Sequence, residues 1–225
     1  MHKEINFLQE LMNKPHRPLT LVVGGVKVGT KIKLIDNFLH KANNIIIGGG
    51  MAFTFMKAMG KNIGGSLLEE SMVPVALGLI NKARMKNVNL ILPCDVLCSE
   101  SIESSSVEGC FAVDNIPKNL MGLDIGDDTI KLFSSVLSSS KTILWNGPMG
   151  VFEKQQFSLG TEKLGKFLSE IASKDAKVIV GGGDTAAALE LFGLNREMTH
   201  VSTGGGASLE LLSGNPLPAI KSLEM

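Results

Sequence analysis

Three glycines set between an apolar triplet and a helix-forming run are the stretch of this chain most suited to chemistry. Residues 177–191 read KVIVGGGDTAAALEL. Val178, Ile179 and Val180 have the pattern of a strand buried on both faces, and Gly181, Gly182 and Gly183 leave the backbone bare. Asp184 and Thr185 are helix N-cap types, and Ala186 to Leu191 form helix readily. A bare turn that feeds a helix start offers free N–H groups and the positive end of the helix dipole, so it favours an anion, commonly a phosphate. Taken alone, the same turn also reads as a tight loop with an Asp cap and no ligand.

Other residues could join it. Lys27 and Lys31 follow the first apolar run, four residues apart. If a helix begins there, they share a face near its N-terminus. The dipole disfavours that arrangement unless a polyphosphate sits between them; two solvated surface lysines are the alternative. Asp184 could serve a magnesium ion, held by one carboxylate plus substrate phosphates, or could only cap its helix. Asn146, ending the run TILWN, could donate to a phosphate or hold its own turn, and Glu153 could accept from ribose hydroxyls or lie exposed. His200 has no Ser or Asp in triad order, and Ser208 reads as a cap or helix residue rather than a nucleophile elbow. The P-loop pattern is absent, since residues 24–31, GGVKVGTK, have its order wrong. Gly181-x-Gly183-x-x-Ala186 fits a dinucleotide fingerprint, yet the next strand ends in Ser202 and Thr203 with no carboxylate for a ribose hydroxyl.

The elements that position these residues alternate along the chain. Apolar runs at 19–23, 44–48, 89–93, 142–146, 177–180 and 200–203 predict six strands. Helical patterns follow or precede them: KIKLIDNFLHKA, AFTFMKAMG, VALGLINKAR, GDDTIKLFSSVL with Asp127 or Asp128 as its cap, residues 158–173, the run after Gly183, and ASLELLSG. Alternating β and α predicts an α/β fold: a six-stranded parallel sheet, doubly wound (Rossmann-like), in three layers, αβα. In such a sheet the carboxyl ends of all strands face one crevice. Five of the six runs end in glycine-bearing turns, which concentrates bare backbone at that one rim and predicts an anionic ligand there. Residues 98–119 are polar and serine-rich and read as a surface excursion with a short strand or hairpin. Residues 3–13 place Ile5, Leu8 and Met12 at helical spacing, closed by Pro15 and Pro18; this helix stands before the first strand with no partner in the repeat.

Composition narrows the function classes. With 225 residues, the chain suits one large α/β domain. Lys+Arg 22 balances Asp+Glu 22, which argues against a general nucleic-acid binder. There is no secretory apolar region and no run long enough to span a bilayer, so no membrane partner is expected. Cys94, Cys98 and Cys110 make no even disulfide set and fit a reducing cytosol; Cys94 and Cys98 lack the nearby His a zinc site would need.

The runs GGVKVGTKI, IIIGGGMAFTFMKAMG, MGLDIGDDT, ILWNGPMGVFE, VIVGGGDTAAALE and HVSTGGGASLELLSGNPLP together resemble phosphoglycerate kinase. The resemblance runs in order through nearly the whole chain, but only to that family's C-terminal, nucleotide-binding half; residues 1–13 resemble its interdomain helix. It implies a division into 1–17, helix and linker, and 18–225, nucleotide-binding domain. It also implies transfer of a phosphoryl group from 1,3-bisphosphoglycerate to ADP in glycolysis, with ADP/ATP and Mg2+ as ligands, in the cytoplasm. By the same resemblance, Lys27 and Lys31 hold nucleotide phosphates, with Lys31 nearer the transferred group. Gly25, Gly48, Gly49, Leu67, Gly122, Leu123 and Val151 line the adenine pocket. Asn146 and Pro148 sit beside the phosphates and nucleoside, and Glu153 binds the ribose. Asp184 serves magnesium, while Gly182, Gly183 and Thr185 serve the phosphates. Gly204, Gly205 and Gly206 face the reacting phosphoryl group.

Three departures stand out: Val26 in place of alanine, Gly29-Thr30 in place of Ser-Asp, and Ile102 where some members carry an aromatic residue. Arg17, Arg84 and Arg196 are widely spread, so no stretch offers the arginine-rich pocket that binds 3-phosphoglycerate in the family's other half. The resemblance therefore implies that the chain binds nucleotide and turns over little without that half. A free-standing nucleotide-binding module and an NAD-type dinucleotide domain are the alternatives.

Overall fold

The computed structural model describes residues 14–202 together with 204, 205, 210, 212 and 213. The helix expected over 3–13, Gly206, most of the helix expected after it and the tail lie outside the described residues. In chain order the elements are β1 (Leu19–Val23), α1 (Ile32–Phe38), β2 (Asn44–Ile47), α2 (Met51–Ala58), α3 (Val73–Met85), β3 (Asn89–Ile91), β4 (Asp95–Ser99), β5 (Gly109–Ala112), β6 (Met121–Ile125), α4 (Asp127–Leu137), β7 (Thr142–Asn146), α5 (Leu159–Ala172), β8 (Lys177–Gly181), α6 (Gly183–Leu191) and β9 (His200–Val201).

Six strands make the parallel sheet, in the order β3-β2-β1-β7-β8-β9. All six are the expected apolar runs. The chain steps outward from β1 to β3, then returns to the other side of β1 with β7, so the strand order reverses between β1 and β7. Their register pairs Leu19 with Thr142 and Val23 with Asn146, which brings the two carboxyl ends level at the reversal. A crevice opens at such a point because successive connections leave it in opposite directions.

The alternation along each central strand separates two cores. Leu21, Val23, Ile45 and Ile47 point into a cluster with Leu34, Phe38, Phe55, Met56, Leu79 and Ile80, from α1, α2 and α3. Val22, Ile46, Ile143, Trp145, Val178 and Val180 point the other way, onto Phe133, Leu137, Leu164, Leu168 and Leu189 of α4, α5 and α6. Among the described residues helices thus cover both faces, the three-layer doubly wound arrangement expected. Each fully buried Leu, Ile or Val contributes roughly 1.5–3 kcal/mol, so β1, β2, β7 and β8, buried along nearly their whole length, anchor the rim turns rigidly. No helix among the described residues is long and apolar enough to cross a membrane.

Two features differ from the sequence reading. The excursion over 98–119 holds the expected hairpin, β4 with β5, but β6 extends it into a second, antiparallel sheet in the order β5-β4-β6. It adds Val96 and Cys98 to the first core and Ile125 to the second, so it is part of the body of the fold. The caps also differ. Asp127 and Asp128 lie inside the first turn of α4, and neither side chain caps it. The oxygens of Asp95 accept instead from the N–H groups of Asp128 and Thr129, at 3.2 and 2.7 Å. Nor do Asp184 and Thr185 cap α6: its N-cap is Gly182, at φ 95, a conformation that a Cβ would strain.

Candidate functional site

The rim turns after β1, β2 and β7 are bonded into one another. The Gly24 N–H donates to the Asn146 carbonyl at 3.0 Å and the Gly25 N–H to the Pro148 carbonyl at 2.9 Å. The Gly49 N–H reaches the Met149 carbonyl at 3.2 Å, and Met51 N–H returns to the Gly25 carbonyl at 3.0 Å. Gly49 has φ +63, and a Cβ there would sit 2.5 Å from the Gly25 nitrogen, so no side chain fits this crossing.

Above the crossing lies a cleft of about 310 Å³. It brings together Gly25, Gly49, Leu67, Gly122, Leu123, Pro148, Val151 and Glu153 of the expected residues, with Asp184 at its end. Its walls are largely apolar, with Phe53, Met149, Phe152, Val26 and Ile102 in addition. Gly48 is an exception among the expected lining residues: it is buried beneath the floor, with the Met149 sulfur in the space a side chain would take. Val26 is 59% exposed and Ile102 44%, which puts both departures from the family at the mouth of the cleft.

A second cavity of about 190 Å³ adjoins it, lined by Lys31, Asn146, Gly147, Gly182, Gly183, Asp184, Thr185 and Gly205. Asp184 lines both cavities, so an elongated ligand can pass from an apolar compartment into a polar one. The first-turn N–H groups of α6 open here, and the dipole of this nine-residue helix adds positive potential. The Lys31 ammonium donates to Asn146 Oδ1. Burial lowers its pKa, while the negative charge of Asp184 pulls the other way. Asn146 is fully buried, and its Nδ2 has no hydrogen-bond partner among the described residues. An ammonium can only donate, so the amide oxygen faces Lys31 and the NH2 group faces Gly181 and Gly182. An orphaned buried donor beside a helix N-terminus is suited to an acceptor that a ligand brings.

One expectation is overturned and another is narrowed. Lys27 does not share a helical face with Lys31. Lys27 is extended, at φ -111 and ψ 124, and exposed; a 3-10 turn, Val28–Thr30, separates it from the start of α1, and it lines neither cavity. The Thr185 hydroxyl is also committed within the protein: it accepts from the Gly147 N–H at 2.6 Å and donates to the Gly181 carbonyl at 3.2 Å. Only its backbone is left for a ligand.

The sequence reading passed over two acidic residues. Asp124 lines the larger cleft yet is only 3% exposed; its oxygens accept from the Gly160 N–H at 2.7 Å and the Ile125 N–H at 2.9 Å. Burial pushes its pKa up to about 7, against the pull of those two donors and of Lys163. Glu69 accepts from the Val28 N–H, at the turn before Lys31. Neither role is marked by neighbours in sequence, because each acid accepts from a backbone N–H far along the chain, Gly160 for Asp124 and Val28 for Glu69.

The sequence pattern of the family described as phosphoglycerate kinase matches residues 1–215. A phosphoglycerate kinase of Nostoc sp. is 46% identical over 224 residues, covering 100% of this chain and 56% of its own. A cytosolic phosphoglycerate kinase of Nicotiana tabacum has the same identity and coverage, 46% over 224 residues and 56% of its length. The solved phosphoglycerate kinase of Coxiella burnetii superposes with a TM-score of 0.93 at 43% identity, over 99% of this chain and 57% of that one. That of Pyrococcus horikoshii gives 0.78 at 27% identity, over 100% and 56%. The chain thus spans little more than half the length of these relatives, and it belongs to the phosphoglycerate kinase family.

Proposed function

We propose that this chain is the nucleotide-binding half of a phosphoglycerate kinase, taking ADP and ATP. The observation that carries the reading is the joined pair of cavities at the strand-order reversal: an apolar cleft sized for a nucleoside, opening past Asp184 into a compartment of backbone N–H groups, Lys31 and the Asn146 amide. In this reading the base lies between the Gly25, Gly49 and Leu67 side of the cleft and the Gly122, Leu123 and Val151 side, and Glu153 takes the ribose. The phosphates extend toward Gly182, Gly183 and the first turn of α6.

Phosphoryl transfer needs positioned positive charge more than covalent chemistry. Lys31 and the α6 N-terminus supply it, and the Asn146 NH2 donates to a phosphate oxygen. Gly205 lines the same compartment and faces the group to be transferred, with Gly204 and Gly206 beside it in sequence. The described residues hold no group of three His, Cys, Asp or Glu able to cage a metal. One carboxylate, Asp184, at the junction of the cavities fits a magnesium ion held mainly by phosphate oxygens. When bound, the ion would neutralise phosphate charge. Lys27, outside the cavities, would act at longer range on the outer phosphates. Three free thiols suit the cytoplasm.

The acid substrate, 1,3-bisphosphoglycerate or 3-phosphoglycerate, would be held by residues outside this chain. Isothermal titration with MgADP and with NAD tests the reading. Binding of MgADP, weakened at least tenfold by Lys31→Ala, is the outcome expected. NAD binding equal to or tighter than MgADP would instead favour the dinucleotide alternative, and no binding of either would remove the nucleotide reading.

A further inference from the structure

We propose that Glu69 is the residue that positions Lys31, acting as a latch between the loop after α2 and the turn that carries the lysine. This rests on the assignment of the smaller cavity to phosphate. Lys31 sits where two short pieces meet: it closes the 3-10 turn Val28–Thr30 and begins α1. Its N–H donates to the Val28 carbonyl at 2.8 Å, and its carbonyl accepts from Ile35 at 2.9 Å. So the direction of its side chain follows from where Val28 is held. The Val28 side chain is fully buried, but a 3-10 turn starts with unsatisfied N–H groups, and the residue before it, Lys27, provides no side-chain cap. The acceptor comes from 41 residues away: the Glu69 carboxylate takes the Val28 N–H.

The other end of the latch is also fixed. The Glu69 N–H donates to the Thr54 hydroxyl of α2 at 3.2 Å, and its carbonyl accepts from Met72 at 2.8 Å. Thr54 is 1% exposed, so this anchor is set in the core. A Cβ on Gly29 would stand 3.6 Å from Glu69 Oε1, which places the carboxylate flat against the turn. Among the described residues Glu69 forms no ion pair with Lys27 or Lys31. It acts on the backbone, and through it on the lysine. Leu67, two residues before it, lines the larger cleft. One carboxylate therefore ties the wall of the apolar compartment to the cation of the polar one.

The test uses Glu69→Ala and Glu69→Gln, since glutamine keeps an oxygen for the Val28 N–H. Two readings are taken: the titration of the Lys31 ammonium by NMR without nucleotide, and the affinities for MgADP and for adenosine by calorimetry. In Glu69→Ala the Lys31 pKa rises toward that of a solvated lysine and MgADP binding weakens roughly tenfold, the scale of losing one hydrogen bond to a charged group. Adenosine binding stays within about twofold, and Glu69→Gln resembles the parent. An unchanged Lys31 titration in Glu69→Ala overturns the latch, as does an equal loss of adenosine and MgADP. If the parent chain binds no MgADP while the Lys31 titration shifts as described, the nucleotide reading fails and the latch stands. If Glu69→Ala does not fold, Glu69→Asp, one methylene too short for Val28, is read by the same titration with the same two outcomes.

Discussion

Asp124 brings a carboxylate to a position that is 3% exposed, where two backbone N–H groups meet it and the Lys163 charge adds its pull. Burial wins over these partners and raises its pKa from 3.8 to about 7. The sign of the effect on stability follows from linkage. Between the unfolded and folded pKa values the native state holds a proton that the unfolded state has lost, so stability falls as pH rises from about 4 to about 7 and stays low above that. A shift of this size corresponds to roughly 4 kcal/mol as an upper figure. Asp124→Asn keeps an oxygen for the Gly160 N–H and removes the titration. Urea unfolding at pH 5 and pH 8 should therefore show a smaller loss of stability for Asp124→Asn than for the parent, and equal losses would rule out Asp124 as the source. The residue also buttresses the loop of Gly150, Val151 and Glu153 in the larger cleft, through the Val151 N–H bond to the neighbouring Leu123 carbonyl at 2.9 Å. Nothing in the run MGLDIGDDT marks this acid as buried. The glycines that let it in, Gly150 and Gly160, are distant in sequence, and either would collide with it if given a Cβ.

Several helical starts in this fold are finished by a carboxylate from elsewhere: Val28–Thr30 by Glu69, α4 by Asp95 and α5 by Asp124. The case of α4 is the easiest to test. Asp95 accepts from two first-turn N–H groups and from the Thr129 hydroxyl at 2.6 Å, while Asp127 and Asp128 make only exposed ion pairs, with Lys163 and Lys131. Asp95→Ala should cost about 1–2 kcal/mol by urea midpoint, and Asp127→Ala or Asp128→Ala less than about half of that. Equal costs would return the cap to the helix's own acids. Burial alone would raise the Asp95 pKa, but the Thr129 bonds, the Cys110 thiol and the Asp128 N–H together lower it. Its contribution is therefore present at neutral pH and lost as pH falls below about 4, an acid window separate from that of Asp124. Caps supplied across the fold explain what the sequence did and did not disclose. The six parallel strands were legible because strands buried on both faces must be continuous apolar runs, and TILWN or KVIV can be little else. The antiparallel sheet was not: β5, GCFA, alternates half-buried and exposed, and β6, MGLDI, carries the buried Asp124, so neither has a continuous apolar pattern. The local preference of Asp127 and Asp128 for a helix start was real, but an acid three-dimensionally closer took the N–H groups.

At the scale of the whole molecule, the proposed function leaves the acid substrate without cations of its own. The rim carries Lys31 and the N-terminus of α6, where the proposed reading places a nucleotide's phosphates. None of the arginines lines either of its cavities. Arg17 is spent at the amino edge of the sheet, donating to Asn43 Oδ1 at 3.0 Å, where the same oxygen takes the Leu19 N–H. Arg84 is exposed in the last turn of α3, and Arg196 is exposed in the turn before β9. A doubly charged phosphorylated acid needs bidentate cations around it, and on the proposed reading Lys31 is already taken by the nucleotide. The chain covers 56% of the length of its Nostoc relative; on the proposed reading, the part of that relative without a counterpart here would supply those cations. Transfer also requires the two phosphates to be held in line with water excluded, which a rim open on one side does not achieve. The chain with 1,3-bisphosphoglycerate and MgADP should therefore form ATP no faster than the uncatalysed background, even at nucleotide concentrations that saturate binding. Adding an excess of separately produced N-terminal half of a phosphoglycerate kinase should raise the rate in proportion to complex formed, and Lys31→Ala should abolish that gain. Strong turnover by the chain alone, unaffected by Lys31→Ala, would mean that this chain carries an acid-binding surface of its own.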